Sequence, residues 1–132
     1  MTDLSSGGKS ADLEWVDDEP SSQSQQTQCM CRTTIPVDYM YFDGHFRGYP
    51  VLAGVVQLHE LVLPCVRRLR PDLPSLSKLS GLKFRSRILP GDAVDILLRW
   101  NELGPVVQFE IFSNGQPCTQ GRLQFDAAQV GL

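Results

Sequence analysis

Two histidines, His45 and His59, sit in one segment, YFDGHFRGYPVLAGVVQLHE, that runs from Tyr41 to Glu60. Imidazole is the side chain whose ordinary pKa lies near neutrality, so either ring can take or give a proton at working pH. A carboxylate, Glu60, directly follows His59, and Gly44, Gly48 and Pro50 supply the turns of a shaped loop around His45. Proton transfer is the chemistry such a set can support. Metal chemistry is poorly served, because the two histidines have no Cys-x-x-Cys pair beside them.

The elements that must hold these groups can be read from the hydrophobic pattern. Asp12–Asp18 reads as a short first strand, followed by a turn at Glu19–Ser22. Gln26–Ile35 alternates like a strand and stops at Pro36, and a loop from Asp38 to Ala53 carries His45. Gly54 to Leu69 reads as a helix, with Val55, Leu58, Val62 and Val66 at spacings of three and four. Leu61, Leu63 and Leu69 widen its apolar surface until it nearly surrounds the axis, which predicts a mostly buried helix. Pro64 lacks a backbone N–H, so a kink or early end is expected there, with Pro71 closing the segment. The period then changes to two, over Leu79–Leu89, Ala93–Trp100, Val106–Phe112 and Cys118–Phe125, with an Asn114-Gly115 hairpin signal before the last. Four consecutive strands predict an antiparallel meander, and a sheet with one buried helix predicts an α+β fold.

Composition bounds the rest. The 132 residues leave room for one modest core, 42% hydrophobic and 20% charged, as in an ordinary globular protein. Residues 1–11 are expected to form a disordered tail and 12–132 a single domain. The polar start has neither the basic region nor the apolar stretch of a signal peptide, and no apolar run approaches ~20 residues, so the expected compartment is the cytoplasm. Cys29, Cys31, Cys65 and Cys118 are accordingly read as reduced, partly buried thiols, Cys29 and Cys31 on the same face of their strand. Residues 1–20 hold six acids against Lys9, whereas residues 65–91 hold seven bases against Asp72. That asymmetry is a solvated face or a docking patch for an acidic partner. Nucleic acid fits poorly with a net charge of −3 and no binding motif, and no membrane association is expected.

The segment around His45 resembles the active-site motif of the beta-hydroxyacyl-acyl-carrier-protein dehydratases, Gly-His-Phe-Pro-x-x-Pro-x-x-Pro-Gly-Val followed by an acid on the helix. Gly44, His45, Phe46, Pro50, Gly54 and Val55 match in register. Lys83-Phe84-Arg85 with Leu89-Pro90-Gly91-Asp92 matches a second family signature, and the likeness covers roughly residues 25–126. The stretch Gly54–Leu58 is most similar to dehydratases of aryl-polyene pathways.

The resemblance implies the hotdog fold, a long helix wrapped by an antiparallel sheet, and elimination of water from a 3-hydroxyacyl thioester on acyl carrier protein. It implies His45 as catalytic base, Gly54 as backbone donor to the thioester carbonyl, and Pro50 and Val55 beside the substrate. Lys83, Arg85 and Arg87 would face the acidic carrier. No metal or dissociable cofactor is implied, since the phosphopantetheine arm arrives with the substrate. A homodimer is implied too, because the family's two catalytic groups come from different subunits; a heterodimer is the variant of this.

The family's acid lies fourteen residues after its histidine, and here that position is His59, with Glu60 one place later. One α-helical step turns a side chain by ~100°, so Glu60 is expected to point away from a site that His59 faces. Two histidines can divide the labour as a coupled pair. Arg47 and Ala53 replace two family prolines. Two rivals remain open: a hotdog thioesterase that uses Glu60 to activate water, and a non-catalytic subunit that lost its acid and supports an active partner.

Overall fold

The computed structural model describes residues 12–42, 52–102 and 104–126. The expected tail, residues 1–11, lies outside them. Among the described residues seven strands form one antiparallel sheet: β1 (Val16–Asp17), β2 (Ser21–Gln23), β3 (Gln26–Thr34), β4 (Leu76–Phe84), β5 (Ala93–Asn101), β6 (Val106–Ser113) and β7 (Gln116–Phe125). The strand order is β1-β3-β5-β6-β7-β4, with β2 also paired to β3. Alternation sends Cys29 and Cys31 of β3, Val94, Ile96 and Leu98 of β5, and Val107, Phe109 and Ile111 of β6 to one face, where they are buried. On that face the central helix lays Leu61, Val62, Cys65 and Val66 into the same core. The result is the expected α+β architecture.

Only three of the four late strands form the predicted meander. β5, β6 and β7 follow one another, but β4 pairs with β7 at the far edge of the sheet. β4 also runs from Leu76 to Phe84 instead of from Leu79 to Leu89. Gly81, at φ 63°, sits in a register shift between Ser80 and Lys83, and past Phe84 the N–H groups of Arg85 and Ser86 converge on the Cys118 carbonyl. Period-two pairing ends there because two donors share one acceptor. The following Leu89-Pro90-Gly91-Asp92 is a fastener: Asp92 accepts from the Leu89 N–H (2.9 Å), the Ser113 hydroxyl (2.6 Å) and the Asn114 amide (3.1 Å). It thereby ties this turn to the β6–β7 hairpin, whose Asn114 and Gly115 both have positive φ, as a two-residue type I′ turn needs.

Two N-terminal expectations change. The first strand shrinks to Val16–Asp17, since the Glu14 carbonyl accepts from the Thr33 hydroxyl at 2.7 Å instead of joining a ladder. The predicted turn at Glu19–Ser22 is partly strand; the chain reverses at Ser24–Gln25, both at positive φ without a glycine. That polar stretch has serines but no Gly, Asn or Asp, the residues that announce a turn at positive φ.

The helix spans Gly54 to Leu69 as expected, but in three parts: α1 (Gly54–Val56), a π-helical turn (Gln57–Val62) and α2 (Leu63–Leu69). The Leu63 N–H reaches back five residues to Leu58. That wide turn absorbs Pro64: the helix neither ends early nor loses a bond inside α2, because Pro64 falls in the first turn of α2, where an N–H is dispensable. Nor is the helix buried all round: Val55 is 72% exposed.

Candidate active site

His45, Arg47 and Pro50 lie outside the described residues, as do residues 43–51 of the expected loop. What the structure does place is the backbone that follows, from Leu52 into the helix. The Leu52 N–H donates to the Ile88 carbonyl at 3.0 Å, and the Leu52 carbonyl accepts from the Gln57 side-chain amide at 3.0 Å. Gln57 is buried, and its amide oxygen accepts from the Thr119 hydroxyl of β7 at 2.6 Å. A polar side chain in an apolar core needs such partners at every end. Gln57 therefore pins the end of the loop and the start of the helix to the sheet.

The helix opens with the Gln57 N–H on the Ala53 carbonyl at 3.0 Å, so the N–H groups of Gly54, Val55 and Val56 precede its first internal bond. They carry the positive end of the helix dipole. Glycine at 54 has a packing reason that the sequence did not reveal. The ring of Phe84 lies over it, 2.8 Å from where a Cβ would stand.

His59 and Glu60 are not turned apart as expected. His59 Nδ1 is 2.6 Å from Glu60 Oε2. Both belong to the π-helical turn, whose wider winding rotates successive side chains by less than an α-helix does. The His59 side chain is 76% exposed and that of Glu60 only 20%. Behind Glu60 the hydroxyl of buried Tyr39 donates to Oε1 at 3.5 Å. Burial, and then the charge of Glu60, push the Tyr39 phenol up, so it stays a donor. Its ring is held against Tyr41 and Phe42, with centroids 5.2 and 6.2 Å away.

Sequence reasoning missed Gln57 and Tyr39. A polar residue four before Leu61 and eight before Cys65, on the buried stripe of the helix, was a usable signal for the first. No signal marked Tyr39, which reaches the helix from a 3₁₀ corner around Met40–Phe42.

The basic stretch is narrower than its composition suggested. Arg68 makes a bidentate pair with Asp17 (2.7 and 2.8 Å), Arg70 one with Asp72, and Arg67 donates to the carbonyls of Leu73 and Pro74. The acidic N-terminal segment is thus one partner of the bases. Lys83, Arg85 and Arg87 are exposed, but only Lys83 belongs to β4, and Arg85 donates to the Gln120 amide at 3.0 Å. Arg85 and Arg87 do not continue the strand alternation expected of them.

Residues 21–122 match the model of the ApeI-like family, described as ApeI dehydratase. A 3-hydroxyacyl-[acyl-carrier-protein] dehydratase FabZ of Anaeromyxobacter is 32% identical over 48% of this chain, which spans 46% of that relative's length. The FabZ of Pediococcus pentosaceus is 25% identical over 86% of this chain and 79% of its own length. Among solved structures, the dehydratase heterocomplex ApeI:P from Xenorhabdus doucetiae superposes with a TM-score of 0.69 at 22% identity, covering 85% of this chain and 97% of that one. The fold is the hotdog fold.

Proposed function

The chain belongs to the ApeI-like dehydratase family, and we propose that it eliminates water from a 3-hydroxyacyl thioester on acyl carrier protein, giving a trans-2-enoyl thioester for fatty-acid or polyene lipid synthesis. His45 takes a proton from C2, and the electron pair of that C–H bond becomes the C2–C3 double bond. The C3–O bond breaks with its pair on oxygen, and His59 supplies the proton that makes the leaving group water. The Gly54 N–H donates to the thioester carbonyl, where negative charge builds as the C2 proton leaves. Pro50 and Val55 border the acyl chain. His45 ends protonated and His59 neutral, so the pair resets by exchanging one proton with solvent.

One observation carries this reading. The helix buries Gln57, Leu61, Val62, Cys65 and Val66 but leaves uncovered the side that bears Val55 and His59. A catalytic imidazole beside an exposed apolar residue fits a site that a second subunit completes, as the family motif implies. A homodimer is the first expectation, working in the cytoplasm, with Lys83, Arg85 and Arg87 toward the acidic carrier. Among the described residues no helix is long and apolar enough to cross a membrane.

A second reading, a subunit that supports an active partner in a heterodimer, is favoured by His59 standing in the acid's place. A thioesterase is disfavoured, because Glu60 is already engaged by His59 and Tyr39 and is not held out to water. Incubating the purified chain with 3-hydroxyacyl carrier protein separates these readings. Enoyl formation is expected; release of free acid alone would sink the dehydratase assignment, and an inert chain that activates a partner would support the second reading.

A further inference from the structure

We infer that Glu60 is a positioning residue, which holds the His59 ring in one tautomer and one orientation so that Nε2 is presented outward from the helix. The assignment rests on the dehydratase reading only for the reaction that Nε2 then serves.

A neutral imidazole has one N–H and one bare nitrogen, and which is which depends on what the ring faces. A carboxylate only accepts. With Glu60 Oε2 at 2.6 Å, Nδ1 is the nitrogen that carries the proton, and Nε2 is left bare in the neutral ring or as the outward donor in the imidazolium. The same ring can therefore release a proton from Nε2 without exchanging its proton at Nδ1.

The hold is anchored in the core, which separates it from an ordinary surface ion pair. Exposed pairs are worth little energy, and their side chains wander. Here the carboxylate is four-fifths covered and its other oxygen takes the hydroxyl of Tyr39, itself 1% exposed and packed edge-on against Phe42. The chain Tyr39–Glu60–His59 thus runs from a fixed ring inside to a 76% exposed ring outside. An exposed imidazole without it would sample its rotamers freely, and misplacement of a proton donor by about 1 Å can cost ~10²-fold in rate.

The test uses the full chain labelled with ¹⁵N, with His45→Asn made solely to leave His59 as the one imidazole signal. Long-range ¹H–¹⁵N spectra of the neutral ring are expected to show the proton on Nδ1. Glu60→Ala should move it to Nε2, the preference of free histidine, and Glu60→Gln should keep it on Nδ1 through the amide oxygen. With a short 3-hydroxyacyl pantetheine thioester and His45 intact, Glu60→Ala should lower kcat about 10- to 100-fold at nearly constant KM, and Glu60→Gln should recover most of it. An Nδ1 proton that persists in Glu60→Ala overturns the assignment, whatever the activity. A tautomer that switches as stated in a chain without dehydratase activity upholds the positioning role and removes the dehydratase reading instead.

Discussion

The two ends of the central helix handle polar groups in opposite ways. Near its C-terminal end Arg68 spends its guanidinium on Asp17, lies 4.9 Å from the Trp15 ring and touches the Cys65 sulfur at 3.5 Å. The pair with Arg68 holds the Asp17 carboxyl below its usual range. Beneath it, a hydrogen bond with Cys65 and burial push the Cys31 thiol far up, and burial pushes Cys29 up to about 11. Every group there faces a partner inside the chain, and thiols held protonated are poor nucleophiles. Near the N-terminal end, Glu60, itself bonded by Tyr39, engages Nδ1 of His59, whose side chain stays 76% exposed. A closed polar cluster fastens the N-terminal segment to the helix, whereas an open one leaves an imidazole at the surface.

The comparison breaks most sharply at the histidines. His45→Ala and His59→Ala should each lower dehydration about 10²–10⁴-fold, or roughly 3–5 kcal/mol of barrier, with an unchanged melting temperature. His59→Glu, which restores the family's acid, should keep or raise activity in the same enoyl-formation assay. Loss of both activity and fold would place His59 with the closed cluster.

Gln57→Leu is the next largest. It leaves the Leu52 carbonyl and the Thr119 hydroxyl without their buried partner and should cost about 1–3 kcal/mol by chemical denaturation. Activity should fall as well, because the start of the helix loses its pin.

Arg68→Ala should affect stability alone, by about 1 kcal/mol, a figure already discounted for partial exposure of the pair. The stabilisation from Asp17 has a defined pH window. Its folded carboxyl titrates below the ordinary 3.8, so the contribution is complete above that value and is lost as pH falls through the lower folded one. The melting-temperature gap between wild type and Asp17→Asn should therefore close below about pH 4. A gap that persists in acid would mean that packing, not charge, joins these segments.

Smallest is charge reversal of Arg85 and Arg87, expected to raise KM a few-fold for carrier-linked substrate and hardly at all for pantetheine mimics. Equal effects on both substrates would remove the docking role.

Much of this molecule could be read from its residues. Strands β3, β5, β6 and β7 follow from strict alternation, the β6–β7 turn from Asn114-Gly115, and the helix bounds from apolar spacing. Each is a local pattern, and local patterns survive in sequence because backbone geometry repeats every two or 3.6 residues.

Two of the failures were decided by partners distant in sequence, and a third by how tightly the helix winds. β4 left the meander because β7 offered it an edge, and the Arg68–Asp17 pair absorbed part of a charge asymmetry that the chain alone presents as a patch. Glu60 swung toward His59 because a wide helical turn, the one that accommodates Pro64, reduced the angle between neighbours. The amino-acid sequence by itself determined where two imidazoles stand along the chain and that His59 belongs to the helix. That Tyr39 stands behind the Glu60 carboxylate beside His59 was decided only by the tertiary structure, since hydrogen bonds between residues 21 positions apart exist only once the fold has brought them together.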